Sequence, residues 1–108
     1  MILKHFGSYQ LALLYYRQCA ALRLPAHLKD QLSRASSSVA LNLAEGYGRS
    51  SPKDKCKFYT IAMGSLRESQ AVCDLVGYEN PELHDLGDHL GACLYKLIRT
   101  HGQRQTRL

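Results

Sequence analysis

No stretch of the 108-residue chain approaches the ~20 consecutive apolar residues that a membrane-spanning helix requires. The apolar run Leu11–Tyr16 is too short for a secretory signal and is flanked by Gln10 and Arg17, so a cytoplasmic protein with no membrane partner is expected. Cys19, Cys56, Cys73 and Cys93 contain no C-x-x-C pair, and their spacings fit neither a zinc site nor a disulfide framework. Reduced, packed thiols are expected, with no metal and no cofactor. Proline is scarce, and Pro25, Pro52 and Pro81 each fall at an apparent joint. No segment shows the strict alternation of a half-buried strand. Catalytic signatures are missing too. Gly46-Tyr-Gly48-Arg-Ser-Ser follows a helix rather than a strand, and there is no Gly-Lys-Ser/Thr phosphate loop. Ser36–Ser38 lack the Gly-x-Ser-x-Gly turn that exposes a nucleophile. His84 and His89 diverge by about 140° on a helix, and His5, His27 and His101 are isolated. The chain reads as a non-enzyme.

What remains is a chain with 45% hydrophobic residues, enough for one modest core, and a formal charge of +5. The distribution of that charge says more than its sum. Glu68, Asp74, Glu79, Glu82, Asp85 and Asp88 occupy a stretch with no Lys or Arg. Arg49, Lys53, Lys55 and Lys57 face the single Asp54, and Lys96, Arg99, Arg104 and Arg107 end the chain with no acid among them.

Hydrophobic period and punctuation divide the chain into four helices. The first, about residues 4–22, places Phe6, Tyr9, Leu13, Tyr16, Ala20 and Leu24 on one face and ends before Pro25. The second runs from about residue 26 to Tyr47, with Gly46 and Gly48 as stop signals and Leu32, Ala35, Val39 and Leu43 as its stripe. Ser50-Ser51-Pro52 opens the third, whose apolar face is Phe58, Ile61, Ala62, Ser65, Ser69, Val72 and Val76, stopping near Gly77. Asn80-Pro81 opens the fourth, carrying Leu83, Leu86, Leu90, Leu94, Leu97 and Ile98 and fraying after His101-Gly102. Short connections make these antiparallel neighbours, an all-α up-and-down four-helix bundle over residues 1–103 with a basic tail at 104–108. Lys4, Arg49, Lys53, Lys55, Lys57, Lys96, Arg99 and the Arg104/Arg107 tail then gather at one end. The acidic turn between helices 3 and 4 lies at the other, moderated by Arg23 and Lys29. A basic end suits polyanions, RNA or DNA, although a small bundle can also carry a merely solvated charged end. Tyr47, Phe58 and Tyr59 are interleaved with the cations, as rings that stack on bases would be.

Two further features stand out. Arg34, Ser38, Asn42 and Glu45 fall within an arc of roughly 80° beside the apolar stripe of helix 2, and Ser65 and Ser69 interrupt that of helix 3. The pattern suggests a polar network of Arg34, Ser38, Asn42, Glu45, Ser65 and Glu68 in a helix seam, with a ligand site or protein contact as alternatives. If Arg34 is buried there, Glu45 or Glu68 must pair with it, and its removal costs on the order of 3 kcal/mol. Apolar surface also exceeds what one core face uses. Tyr15, Tyr16, Leu11 and Leu14 on helix 1, and Tyr95 and Ala92 on helix 4, suggest self-association or a docked partner.

The run Arg34-Ala35…Ser38-Val39-Ala40-Leu41-Asn42-Leu43-Ala44-Glu45-Gly46-Tyr-Gly48-Arg49-Ser-Ser-Pro52-Lys53, followed by Phe58…Ile61-Ala62-Met-Gly64-Ser65-Leu66-x-Glu68, resembles a bacterial four-helix bundle family. That family includes proteins encoded in intervening sequences of large-subunit ribosomal RNA genes and the accessory variability proteins of diversity-generating retroelements. The sequence departs from it in Ala40, where many members have proline, and in Leu43, usually isoleucine. The resemblance implies a bundle assembling into a ring-like homopentamer with a basic surface. In the retroelement branch it implies binding to a reverse transcriptase and to nucleic acid.

Overall fold

A computed structural model describes residues 2–106, and the side chains of residues 3–102. A short 3₁₀ turn, Ile2–His5, precedes four helices: α1 (Gly7–Ala20), α2 (Ala26–Tyr47), α3 (Pro52–Leu75) and α4 (Pro81–Thr106). No strand occurs among the described residues. Each joint has a local cause. Phe6 is extended (φ −92°, ψ 99°), so the 3₁₀ turn does not merge with α1 into the single first helix the periodicity suggests. The Ser51 hydroxyl accepts from the Asp54 amide at 3.0 Å with Pro52 at the first helical position. The Asn80 side chain accepts from the Leu83 amide at 3.1 Å ahead of α4. Gly77, at φ +63°, closes α3. Its amide reaches the Asp74 carbonyl (3.1 Å), and the Tyr78 amide reaches that of Cys73 (3.0 Å). This paired arrangement requires a left-handed residue that glycine adopts without strain. α4 remains helical to Thr106 rather than fraying after Gly102.

The helices run up and down. Phe6 stacks on Tyr47 at 4.4 Å, Ser38 meets Ser65 and Cys56 meets Ile98, which fixes antiparallel registers around the bundle. The core is a file of Leu32, Val39 and Leu43 from α2, Leu66 and Val72 from α3, and Leu90 and Leu94 from α4, all essentially sealed from solvent. α4 and α2 bury the stripes their sequences display. The other two helices are turned from expectation.

In α1 the buried residues are Ala12, Tyr15 and Cys19, not the Leu13–Tyr16–Ala20 face, a rotation of roughly a third of a turn. Ala12 and Cys19 are small enough for close approach, and Tyr15 crosses the bundle to place its hydroxyl 2.7 Å from the Ser69 hydroxyl of α3. Burial, then the neighbouring Cys19, pushes the Tyr15 phenol far above its ordinary range. Tyr15 is therefore a core residue, which corrects its reading as part of an outer interface. In α3 the buried face is Tyr59, Ala62, Leu66, Ser69 and Val72, while Ile61 is exposed and Phe58 half-buried. Tyr59 lies across Gly46. A Cβ on that glycine would sit 2.7 Å from the ring, so Gly46 provides close approach inside α2 as well as marking its end. Burial pushes the Tyr59 phenol up to about 12, with Tyr47 nearby as a second cause.

The seam between α2 and α3 holds a smaller polar network than the arc suggests. Ser38 and Ser65 share a hydrogen bond of 2.8 Å, and the Asn42 amide donates to the Ser38 hydroxyl (3.0 Å) and carbonyl (2.9 Å). Arg34 and Glu45 are outside it. Arg34 is exposed and pairs with Asp30 at 3.3 Å, Glu45 pairs with Arg49 at 2.5 Å, and Glu68 is exposed. Within the arc, Ser38 and Asn42 lie nearer the apolar stripe than Arg34 and Glu45 do, about 20–80° closer at 100° per residue. The two charged residues therefore reach water, and no buried Arg34 exists.

Candidate nucleic-acid interface at one end of the bundle

The antiparallel registers bring the 3₁₀ turn, the α2–α3 corner and the last turns of α4 to a common end. Phe6 meets Tyr47, Tyr59 lies 5.6 Å from the His101 ring, and the Cys56 thiol is 3.8 Å from the Ile98 carbonyl. Lys55 and Arg99, adjacent in sequence to that last pair, therefore share an end although distant along the chain. Lys4, Lys53, Lys57, Lys96 and Arg99 are all exposed there. None of them forms an ion pair among the described residues. The Arg104 side chain and all of Arg107 lie outside the described residues.

The cations differ in what they already hold. Lys55 is half-buried, and its ammonium donates to the Gly46 (3.1 Å) and Tyr47 (2.9 Å) carbonyls at the C-terminus of α2. A cation there satisfies the Tyr47 carbonyl, adds a second donor to that of Gly46, which also accepts from the Arg49 amide, and opposes the negative end of the helix dipole. The same ammonium lies 5.6 Å from the Tyr47 ring. Lys55 is thus a helix cap rather than the free phosphate ligand its place among the cations suggests. Arg49 is tied to Glu45 and lies 4.8 Å over the Phe58 ring, which Lys57 also approaches at 5.6 Å. Of the three rings expected to stack on bases, Tyr59 is buried and unavailable, and Tyr47 is stacked on Phe6. Phe58 remains half-exposed between two cations. Among the described residues the arrangement presents a band of positive charge with one half-exposed aromatic face.

The opposite end carries Asp74, Glu79, Glu82, Asp85 and Asp88, all exposed, with His84 3.6 Å from the Asp88 carboxylate. Among the described residues no group of His, Cys, Asp and Glu gathers as metal ligands, and no helix is long and apolar enough to cross a membrane. The four cysteines are free thiols. On the flanks, Tyr95 is more than half exposed and Tyr16 half-buried. Leu14, Leu41, Ile61 and Leu75 also stand exposed. Of these, Leu41, Ile61 and Leu75 are outer apolar surface that the sequence pattern does not mark. Leu41 and Leu75 fall within otherwise polar arcs, and the periodicity of α3 places Ile61 in the core.

The model of the 23S rRNA-intervening sequence protein family matches residues 7–80, so the chain belongs to that family. The match spans α1, α2, α3 and the turn before α4, and includes Arg49, Lys53, Lys55 and Lys57 but not Lys96 or Arg99. No curated protein and no solved structure matches the chain.

Proposed function

Taking membership of the 23S rRNA-intervening sequence protein family as the premise, we propose that this chain is a non-enzymatic, self-associating bundle that binds nucleic acid through its basic end. One observation carries the reading. Four exposed cations from two separate segments, Lys53 and Lys57 on α3 and Lys96 and Arg99 on α4, converge without carboxylate partners among the described residues. Charge left unneutralised on one end attracts phosphates and steers association. Self-association, in the ring-like pentamer that the family resemblance implies, has the exposed Tyr95 and Leu14 on the adjoining helices α4 and α1 as its supporting surface. Such a ring multiplies the basic ends presented to one polyanion. Service to a reverse transcriptase, within a diversity-generating retroelement, is the partner reading that follows from the resemblance. A second reading is an interaction scaffold, favoured by the same exposed Tyr95: there the outer helix faces dock a protein and nucleic acid is held by that partner.

Fluorescence anisotropy with labelled RNA and DNA of mixed sequence tests the proposal. Affinity should fall steeply with salt, and removing each lysine that pairs with a phosphate should reduce the log–log slope by about 0.7–0.9. Lys53→Glu/Lys57→Glu should weaken binding across all sequences, whereas Tyr95→Ala should leave the single-chain interaction intact. Binding that ignores salt, or that survives the double charge reversal, refutes the nucleic-acid reading. Loss of protein-complex formation in Tyr95→Ala, with the basic end neutralised harmlessly, selects the scaffold.

A further inference from the structure

The outer face of the α2–α3 seam repeats at heptad spacing. His27, Arg34 and Leu41 lie seven residues apart on α2, and Ile61, Glu68 and Leu75 seven apart on α3. Each set forms a stripe that drifts only about 20° per repeat. All six residues are exposed, Leu41 by 67%, Ile61 by 43% and Leu75 by 73%. The antiparallel register, set by Ser38 against Ser65 and Gly46 against Tyr59, brings the two stripes level with each other. They make three rungs: Leu41 with Ile61, Arg34 with Glu68, and His27 with Leu75. At the middle rung Arg34 and Glu68 flank an open groove of about 350 Å³ with Ala35, Ser38 and Ser65 in its lining. Arg34 engages Asp30 through Nη2 alone, and Glu68 forms no ion pair among the described residues. The face is thus apolar at both ends, charged with both signs at its centre, and built on small residues.

We propose that this face pairs with the same face of a second copy of the chain, about a two-fold axis running along the helices. Charge complementarity selects both the occupant and the direction. With the axis along the helices, α2 of one copy lies against α3 of the other at equal height. Arg34 then meets the partner's Glu68, and Glu68 meets the partner's Arg34, a fork-on-carboxylate contact made twice. Leu41 packs on the partner's Ile61, and Leu75 covers the partner's His27. A two-fold across the helices instead sets α2 on α2 and α3 on α3, opposing Arg34 to Arg34 and Glu68 to Glu68, which like-charge repulsion disfavours. The small residues of the groove let the facing helices approach to the usual spacing of about 8–10 Å. The stripe from position 27 to 41 is about 21 Å long and two helices are about 20 Å wide, so roughly 400 Å² per copy gives a weak, reversible pair. Its consequence is directional, because the basic ends of both copies point the same way and lie side by side. The pairing depends neither on nucleic-acid binding nor on association through Tyr95 and Leu14, which lie on α4 and α1.

Sedimentation equilibrium of the full chain carrying Tyr95→Ala, at concentrations up to about 1 mM, tests this apart from the α1–α4 flank. A monomer–dimer equilibrium is expected. Adding Leu41→Asp should weaken it by about tenfold or more, and so should Arg34→Glu or Glu68→Arg alone. Mixed in equal amounts, the two reversed chains should pair with about the parent affinity. Every contact across the axis is then again between opposite charges. A ring built from unlike faces, or a different protein on this face, gains nothing from mixing, so the rescue is the decisive readout. The changed residues are exposed, and an unchanged helical spectrum in dilute solution confirms the fold. A chain that stays monomeric, a larger assembly that none of these changes reduces, a dimer indifferent to Leu41→Asp, or reversals that mixing does not rescue overturns the proposal.

Discussion

Deleting the Tyr15 hydroxyl and deleting its partner should have unequal costs, because the hydrogen bond between them has a direction. Tyr15 Oη lies 2.7 Å from Ser69 Oγ at the centre of the bundle, and Ser69 Oγ lies 2.6 Å from the Leu66 carbonyl. A carbonyl only accepts, and the serine has one proton, so Ser69 donates to Leu66 and Tyr15 donates to Ser69. In Tyr15→Phe the serine keeps its own bond, and the loss is that of one buried hydrogen bond, about 0.5–1.5 kcal/mol. In Ser69→Ala the phenol remains, 1% exposed, with its acceptor gone. A stranded buried donor costs more, about 1–3 kcal/mol. The double variant strands nothing and should cost less than the sum of the two by about 1 kcal/mol, well outside the 0.3–0.5 kcal/mol scatter of independent sites. Urea denaturation followed by far-UV circular dichroism, at one fixed protein concentration, reads all three. If Tyr15→Phe costs as much as Ser69→Ala, or if the two effects add, the assigned direction is wrong.

Four further outcomes follow from the same geometry. Gly46→Ala should destabilise by about 1–2 kcal/mol in urea denaturation. Overpacking against the Tyr59 ring at 2.7 Å outweighs the ~1 kcal/mol that alanine gains in helix propensity. Lys55→Met should cost about 1–2 kcal/mol of stability through the missing cap on the Gly46 and Tyr47 carbonyls, yet change the salt slope of RNA binding less than Lys53→Met does. Arg34→Ala should cost no more than about 0.5 kcal/mol, as an exposed pair with Asp30 warrants. Stability should fall at alkaline pH. Burial holds the Cys19 thiol and Tyr59 phenol up to about 12, and the Tyr15 phenol higher still, while in the unfolded chain they ionise from their ordinary values of 9.0 and 10.0. Between those ranges the unfolded state binds fewer protons, so each group removes about 1.4 kcal/mol per pH unit. Urea midpoints that do not decline from pH 9 towards pH 12 would contradict that burial.

How much of this can be read from the sequence depends on whether a single physical signal decides the feature. Helix ends at Pro52 and Pro81 are legible because Ser-Pro and Asn-Pro each combine a capping acceptor with a residue preset for the first turn. The α2 and α4 faces are legible because each has one apolar stripe and a polar remainder. The α1 face is not, since Leu11–Tyr16 is apolar all round and the hydrophobic period selects no side. There the choice falls to volume and to the tyrosine's need for a buried acceptor, found on α3, 54 residues away. Arg34 and Glu45 escape the pattern for a related reason. A side chain at the border of a seam reaches water if it is long and charged, and Ser38 and Asn42 close the seam because they are short.

The two ends of the molecule share one cause. Three short connections between four antiparallel helices bring residues from α3 and α4, some forty positions apart, side by side at the basic end, and the α3–α4 turn concentrates the acids at the other. The basic field is therefore a property of the folded bundle and not of any one segment. Lys55 shows how the fold is tied to it, since its ammonium holds the α2 terminus at the corner from which Lys53 and Lys57 project. Neutralising Lys55 weakens the scaffold of the site, and neutralising Lys53 or Lys57 weakens its charge. Comparing stability with salt slope across these three lysines separates a residue that builds the surface from residues that use it.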